Sequence, residues 1–196
     1  MVHYDERTAL LVVDVQNDFA DPNGGLYVRD GEHIIAAVNE EIGRAKRSGA
    51  TVVYTQDWHP PDTPHFETGG GQWPVHCVMG TWGAELHPDL VVDLSDTVIQ
   101  KGSGGEDGYS GFTSRDPVSG EESPTALAEH LDRVGATKVV VVGLAGDVCV
   151  KETALDAARL GRETTVLRAA TRSVNLSPGE AQRAFDEMAK AGVTVA

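Results

Sequence analysis

In Lys138-Val139-Val140-Val141-Val142-Gly143-Leu144-Ala145-Gly146-Asp147-Val148-Cys149-Val150, four valines run into a turn of small residues and then a cysteine. A short, unbroken β-branched run is how a strand buried on both faces reads. Helical spacing follows from Cys149 to about Leu160, and Gly161 ends it. Working back from this unit, Leu10 to Val13 forms a first strand ending at Asp14. Ile34, Ile35, Val38, Ile42 and Ala45 recur at helical spacing, and Gly49 stops that helix before a second strand at Thr51 to Thr55. A third strand, Thr97 to Ile99, ends at Lys101. Ser123-Pro124 predicts an N-cap and first helical position, opening a helix to about Val134. Forward from the cysteine, Thr164 to Leu167 makes the fifth strand of the set. Ser177-Pro178-Gly179-Glu180 has capping-box spacing and starts the last helix, and Val193 to Val195 is a short edge strand. Strand and helix alternating this regularly predict an α/β fold: a doubly wound, mostly parallel six-stranded sheet with helices on both faces, in one domain over residues 1–196.

Composition narrows the function. The 196 residues carry 16 Lys plus Arg against 30 Asp plus Glu, a net charge of −14. That balance repels phosphates, so nucleic acid and anionic membrane are excluded as expected partners. Met1 to Thr8 is polar, no apolar run approaches the length of a membrane span, and a cytoplasmic location is expected. Two cysteines, Cys77 and Cys149, allow one bridge at most, and a reducing compartment argues against it. Residues 56–95 and 102–122 do not fit the repeat; they are rich in Gly, Pro, His and Trp. Long ordered loops of this composition point to function.

Asp14, Lys101 and Cys149 each follow a proposed strand, and in a parallel sheet such positions converge at one edge. Singly they read as a turn cap, a surface charge and a small core residue. Together they suit acyl transfer: a thiol at a helix N-terminus, where the dipole favours thiolate, a carboxylate to take its proton, and an ammonium to orient the carboxylate. The small residues Gly143 to Gly146 let backbone N–H groups close on an oxyanion. A second cluster lies on the long loop. Asp57 and His59 end the second strand, and His65 and His76 follow, a set that suits Zn²⁺, Fe²⁺ or Mn²⁺ with water completing the shell. Cys77 is the rival to His76 as ligand, His65 is the weaker candidate, and His87 reads as structural or exposed. His3, His33 and His130 read as solvated or helix-surface residues.

The pattern resembles the nicotinamidase/pyrazinamidase group of the isochorismatase-like cysteine hydrolases. The resemblance is carried by Val13-Asp14-Val15-Gln16-Asn17-Asp18-Phe19, Asp57-Trp58-His59-Pro60 and Trp73-Pro74-Val75-His76-Cys77-Val78-Met79-Gly80-Thr81. Lys101-Gly102, Tyr109-Ser110-Gly111-Phe112 and the segment Gly143 to Val150 complete it. The first-strand and nucleophile motifs are shared across that superfamily, whereas the Asp-x-His loop and Trp-Pro-x-His-Cys are particular to the nicotinamidase group. The resemblance implies a triad of Asp14, Lys101 and Cys149, and a divalent metal surrounded by Asp57, His59, His65 and His76. It also implies a cis peptide between Leu144 and Ala145 that aims the Ala145 N–H, with that of Cys149, at an oxyanion. Phe19, Trp73, Tyr109 and Leu144 would bind a flat heteroaromatic substrate, and Phe112 would pack in the core. The implied reaction is hydrolysis of nicotinamide to nicotinate and ammonia, and of pyrazinamide to pyrazinoate, through a thioester on Cys149, serving NAD salvage. The partner is then a small molecule, and the protein a monomer or homo-oligomer. Two other readings compete: a metal-free amidase or isochorismatase with the same triad, and a metal-binding or redox-sensing module with Cys149 as an oxidisable thiol.

Overall fold

Every apolar run read as a strand joins one sheet in the computed structural model, which describes residues 2–196. In chain order the elements are β1 (Thr8–Val13), α1 (Asn17–Ala20), α2 (Ile35–Arg47), β2 (Thr51–Asp57), β3 (Thr97–Lys101), β4 (Thr113–Arg115) and β5 (Glu122–Pro124). There follow α3 (Leu127–Arg133), β6 (Lys138–Leu144), α4 (Cys149–Arg159), β7 (Glu163–Arg172), α5 (Glu180–Lys190) and β8 (Thr194–Val195). The six-stranded sheet runs β3-β2-β1-β6-β7-β8, with every neighbouring pair parallel.

Period-two alternation divides the central strands between two cores. Leu10 and Val12 of β1, Tyr54 of β2 and Val140 and Val142 of β6 pack with Ile35, Val38 and Ile42 of α2. Leu11 and Val13, Val53, and Val139 and Val141 point the other way, against Leu127 and Leu131 of α3, Ala154 of α4 and Met188 of α5. Burial on both faces is why these strands read as continuous apolar runs. Phe112 packs in the second core.

From β1 the chain winds outward through β2 to β3, then returns to lay β6 on the other side of β1. The direction of winding reverses between β1 and β6, and ligands of such sheets bind in the crevice at the carboxyl ends on either side of that point. Asp14 follows β1, Asp57 closes β2, Lys101 closes β3, and Cys149 opens the helix after β6. The paired register sets Asp57 directly opposite Lys101.

One local expectation is corrected. Ser123-Pro124 does not open a helix; it lies in β5, which pairs antiparallel with β4 as an exposed hairpin. A residue before proline is driven to extended backbone, and proline at a strand end needs no ladder donor. Helix α3 starts instead at Leu127, whose N–H donates to Thr125 Oγ1 at 3.1 Å. The Ser177 to Glu180 box is half formed: the Glu180 carboxylate accepts the Ser177 N–H at 2.9 Å, and α5 begins at Glu180. No helix among the described residues is long and apolar enough to cross a membrane.

Candidate active site

The residue after β1 has to turn sharply, and Asp14 does so with φ of 49°. Its carboxylate is fixed from two sides. Oδ1 accepts the Thr55 hydroxyl at 2.6 Å, and Oδ2 lies 2.7 Å from Lys101 Nζ. Lys101 is fully buried and sits between Asp14 and Asp57, donating to Asp57 Oδ1 and to the Gly108 carbonyl, with Cys149 Sγ 3.9 Å away. Asp14, Asp57 and Cys149 each offer an atom within 4.8 Å of the others. A cation in the middle of two carboxylates and a thiol is tolerable in a dry interior only because each group compensates its neighbour.

Burial pushes the Asp14 carboxyl up to about 6, against the pull of Lys101. Burial pushes Asp57 the same way, but Lys101 and the His59 ring prevail and hold it well below the usual carboxylate range. Lys101 stays firmly protonated, since its two carboxylates outweigh its loss of water. The Cys149 thiol, buried and facing Asp14, is driven well above its ordinary value. Burial and two carboxylates thus outweigh the pull of the helix N-terminus and of Lys101, and a thiol so placed needs the carboxylate base the sequence places beside it. A base of pKa about 6 beside it is suited to that task near neutral pH.

On the other side of Asp57, three buried histidines converge. His59, His65 and His76 present ring nitrogens within 4.8 Å of one another. The rings of His59 and His65 stack at 4.5 Å, with 17° between planes. His76 Nδ1 donates to the Pro74 carbonyl at 2.7 Å, which turns Nε2 inward to 3.9 Å from Asp57 Oδ2. His59 Nε2 is 3.8 Å from the same oxygen. Burial lowers His76 to about 4, so its ring is neutral with a lone pair to give. Both ring nitrogens of His59, wholly buried, lack a hydrogen-bond partner among the described residues. Of the two, Nε2 faces the Asp57 carboxylate, and an orphaned buried nitrogen so placed fits a divalent ion, whose binding would satisfy it.

Two glycines make this approach possible. At Gly102, with φ of 76°, an added Cβ would meet His59 Nδ1 at 2.6 Å. At Gly108 it would meet Asp57 Oδ1 at 2.8 Å, so the bare backbone lets the Gly108 carbonyl reach Lys101.

The slot beside these groups is lined by Phe19, Trp73, Tyr109, Ala145 and Cys149, with Leu26, Val28, Val148 and Val174 as its aliphatic wall. Trp73 Nε1 donates to the Tyr109 hydroxyl at 3.0 Å, locking two of the aromatic residues together. Leu144, expected at the slot, is instead wholly buried in the first core and absent from the lining. As the last residue of β6 it keeps the inward alternation of its strand. The Leu144–Ala145 peptide bond is cis, and the N–H groups of Ala145 and Cys149 donate to no backbone acceptor among the described residues.

Cys77 does not join the histidines; its thiol is buried in the first core, 3.9 Å from the Gly83 carbonyl, while its N–H donates to Asp18. Cys77 and Cys149 are both free. His87 is buried, its Nδ1 accepting the Asp89 N–H, whereas His3 and His33 are exposed and His130 is half-buried. Sequence reasoning missed several residues that hold the site. Gln16 clamps the end of β2, its amide donating to the Asp57 carbonyl and accepting the Asp57 N–H, both at 2.8 Å. Thr55 positions Asp14, and Asp107 contacts His65. Gln16 lies inside the first-strand motif, and Asp107-Gly108 directly precedes Tyr109, so position in the chain was the available signal.

Comparison with known proteins shows the family. A family model described as "Isochorismatase domain" matches residues 8–196. The chain is 37% identical to the nicotinamidase of Escherichia coli (strain K12) over 203 residues, 95% of this chain and 93% of that protein. Among solved structures it is similar to the pyrazinamidase of Pyrococcus horikoshii in complex with zinc, with TM-score 0.86, 38% identity, and 97% and 98% of the two chains covered. It is also similar to PnC1 from L. infantum in complex with nicotinate, with TM-score 0.88, 35% identity, and 100% and 95% covered.

Proposed function

This chain belongs to the isochorismatase family, and from that premise we propose that it is a metal-dependent cysteine amidohydrolase converting nicotinamide to nicotinate and ammonia, with pyrazinamide as a second substrate. One observation carries the reading. Asp57 is shared between two clusters, with Oδ1 toward Lys101 and the Asp14–Cys149 pair, and Oδ2 toward His59 and His76. A family member with the triad alone would have no use for the histidines.

Phe19, Trp73 and Tyr109 receive the flat ring and present its carboxamide to Cys149, so binding energy becomes orientation. Asp14 accepts the Cys149 proton as sulfur attacks the carbonyl carbon, and Lys101 keeps the Asp14 carboxylate aimed and ionised beforehand. The N–H groups of Ala145 and Cys149 stabilise the oxyanion. Asp14 hands its proton to the departing nitrogen, the C–N bond breaks, and ammonia leaves a thioester on Cys149. A water then gives a proton to Asp14 and attacks the thioester; nicotinate departs as the proton returns to the sulfur. Asp57, His59, His65 and His76 would hold the ion, for which Zn²⁺, Fe²⁺ and Mn²⁺ are suited. Bound there, it would supply a Lewis acid for a ring nitrogen of the substrate, adding to the orientation that Phe19, Trp73 and Tyr109 give the ring. The nicotinate released would feed NAD salvage.

The reading is tested by incubating the protein with nicotinamide and assaying ammonia before and after chelation. Release that is lost with chelator and restored by one of the three ions is expected; no release with any of them would overturn the reading. Benzamide has the ring and amide but no ring nitrogen to offer the ion. Its kcat/KM is expected to fall at least about 100-fold below that of nicotinamide. Equal turnover would remove the role given to the ring nitrogen.

The pH profile follows from Asp14. A carboxyl raised to about 6 works as a base only when ionised, so its contribution is lost as pH falls through that value. Below it, kcat/KM is expected to drop about tenfold per pH unit. A flat profile between pH 5 and 7 in nicotinamide assays would count against Asp14 as the base.

A further inference from the structure

Asp107 takes no part in the chemistry above, yet its carboxylate lies 2.5 Å from His65 Nδ1, with both side chains largely buried. The contact is built from both sides. The Asp107 N–H donates to the Arg115 carbonyl at 2.7 Å, and the Arg115 N–H returns a bond at 3.0 Å, hanging the loop on the first strand of the β4–β5 hairpin. Across the gap, the buried Thr63 hydroxyl donates to the Gly105 carbonyl at 2.8 Å and accepts the His65 N–H at 3.1 Å. Thr63 thereby stitches the loop of His65 to the loop of Asp107.

A neutral imidazole carries one proton on two nitrogens, and only the bare nitrogen can ligate. His76 settles this locally, through the Pro74 carbonyl two residues away. His65 has no such neighbour in its own loop; the acceptor for its Nδ1 comes from 42 residues along the chain. We propose that Asp107 is a positioning residue for the metal centre, accepting the Nδ1 proton of His65, leaving Nε2 bare, and holding the ring stacked on His59. The β4–β5 hairpin then has a purpose its place outside the main sheet does not otherwise give it: it anchors the residue that orients a ligand. The inference rests on the reading of His65 as a ligand in the preceding subsection.

The test measures Zn²⁺ affinity by competition with a chromophoric chelator, and the visible spectrum of the Co²⁺-loaded protein, for wild type, Asp107→Asn, His65→Ala and the double variant. Asn keeps the shape but can turn its NH₂ toward Nδ1 and move the proton to Nε2. Asp107→Asn is expected to weaken Zn²⁺ binding roughly 10- to 100-fold and to alter the Co²⁺ spectrum, the range typical of lost partners to metal-bound histidines. In the His65→Ala background the same change should have no further effect on affinity. An effect of equal size in that background would overturn the proposal, since Asp107 would then act by charge alone. Affinity within about twofold of wild type in Asp107→Asn, when His65→Ala binds weakly, would overturn it while leaving the metal reading intact. If His65→Ala binds Zn²⁺ as tightly as wild type, His65 is no ligand and both fall. Thermal melts of the metal-free proteins show that each variant folds.

Discussion

Replacing Cys149 with Ala is expected to abolish turnover of nicotinamide, by a factor on the order of 10⁴ or more, because no second thiol can reach the carbonyl. Cys77 is buried in a different part of the core, against the Gly83 carbonyl. The change removes one buried sulfur at the first turn of α4 and touches none of the histidines, so folding and Zn²⁺ content should match wild type. Burial pushes the Cys149 thiol up, and the ion pairs of Lys101 with Asp14 and Asp57 do not depend on the sulfur. Ammonia release in a single turnover, measured beside metal content, is the decisive reading. Activity within tenfold of wild type would sink the covalent mechanism.

The second large effect is expected at Asp14. Asp14→Asn keeps the shape and the bond from Thr55 but removes the base, so kcat should fall by roughly 10² to 10⁴. Nicotinamide affinity should change little, since Asp14 is not among the residues lining the slot. Stability should also suffer less than the burial of Asp14 suggests. Lys101 balances two carboxylates, Asp14 and Asp57, and the variant leaves one ammonium with one carboxylate rather than a stranded charge. The measurement is the acylation rate constant from a single-turnover burst across pH. An unchanged constant would contradict the assignment, whereas a loss of both rate and the acid limb near pH 6 would support it.

The order of strands and helices was legible because burial on both faces imposes unbroken β-branched runs, and Lys138 to Leu144 shows this most clearly. Given a parallel sheet, the meeting of Asp14, Lys101 and Cys149 also followed, since the carboxyl ends of parallel strands share one edge, whereas the contact of Asp57 with Lys101 came only from the structure. Residue chemistry then carried the choice of thiol, carboxylate, ammonium and imidazole. Ser123-Pro124 misled because its helix-opening signal is local, while the pairing of β5 with β4 supplies a competing partner.

What tertiary structure alone decided are quantities that sum over distant neighbours. Whether Cys149 rests as thiol or thiolate depends on its burial and on carboxylates from β1 and β2, and no window around the cysteine contains them. The choice of His65 and His76 over Cys77 depended on which side chains a long loop turns inward. Leu144 went to the core because the pleat of β6 continues to its last residue. The contact of Asp107 with His65 joins two loops 42 residues apart, through Thr63 and the hairpin. Sequence determines which groups are present and, through periodicity, which end of the sheet they occupy. Electrostatic balance and ring orientation arise only once separate segments exclude water around one another, because a charge is felt in proportion to what surrounds it.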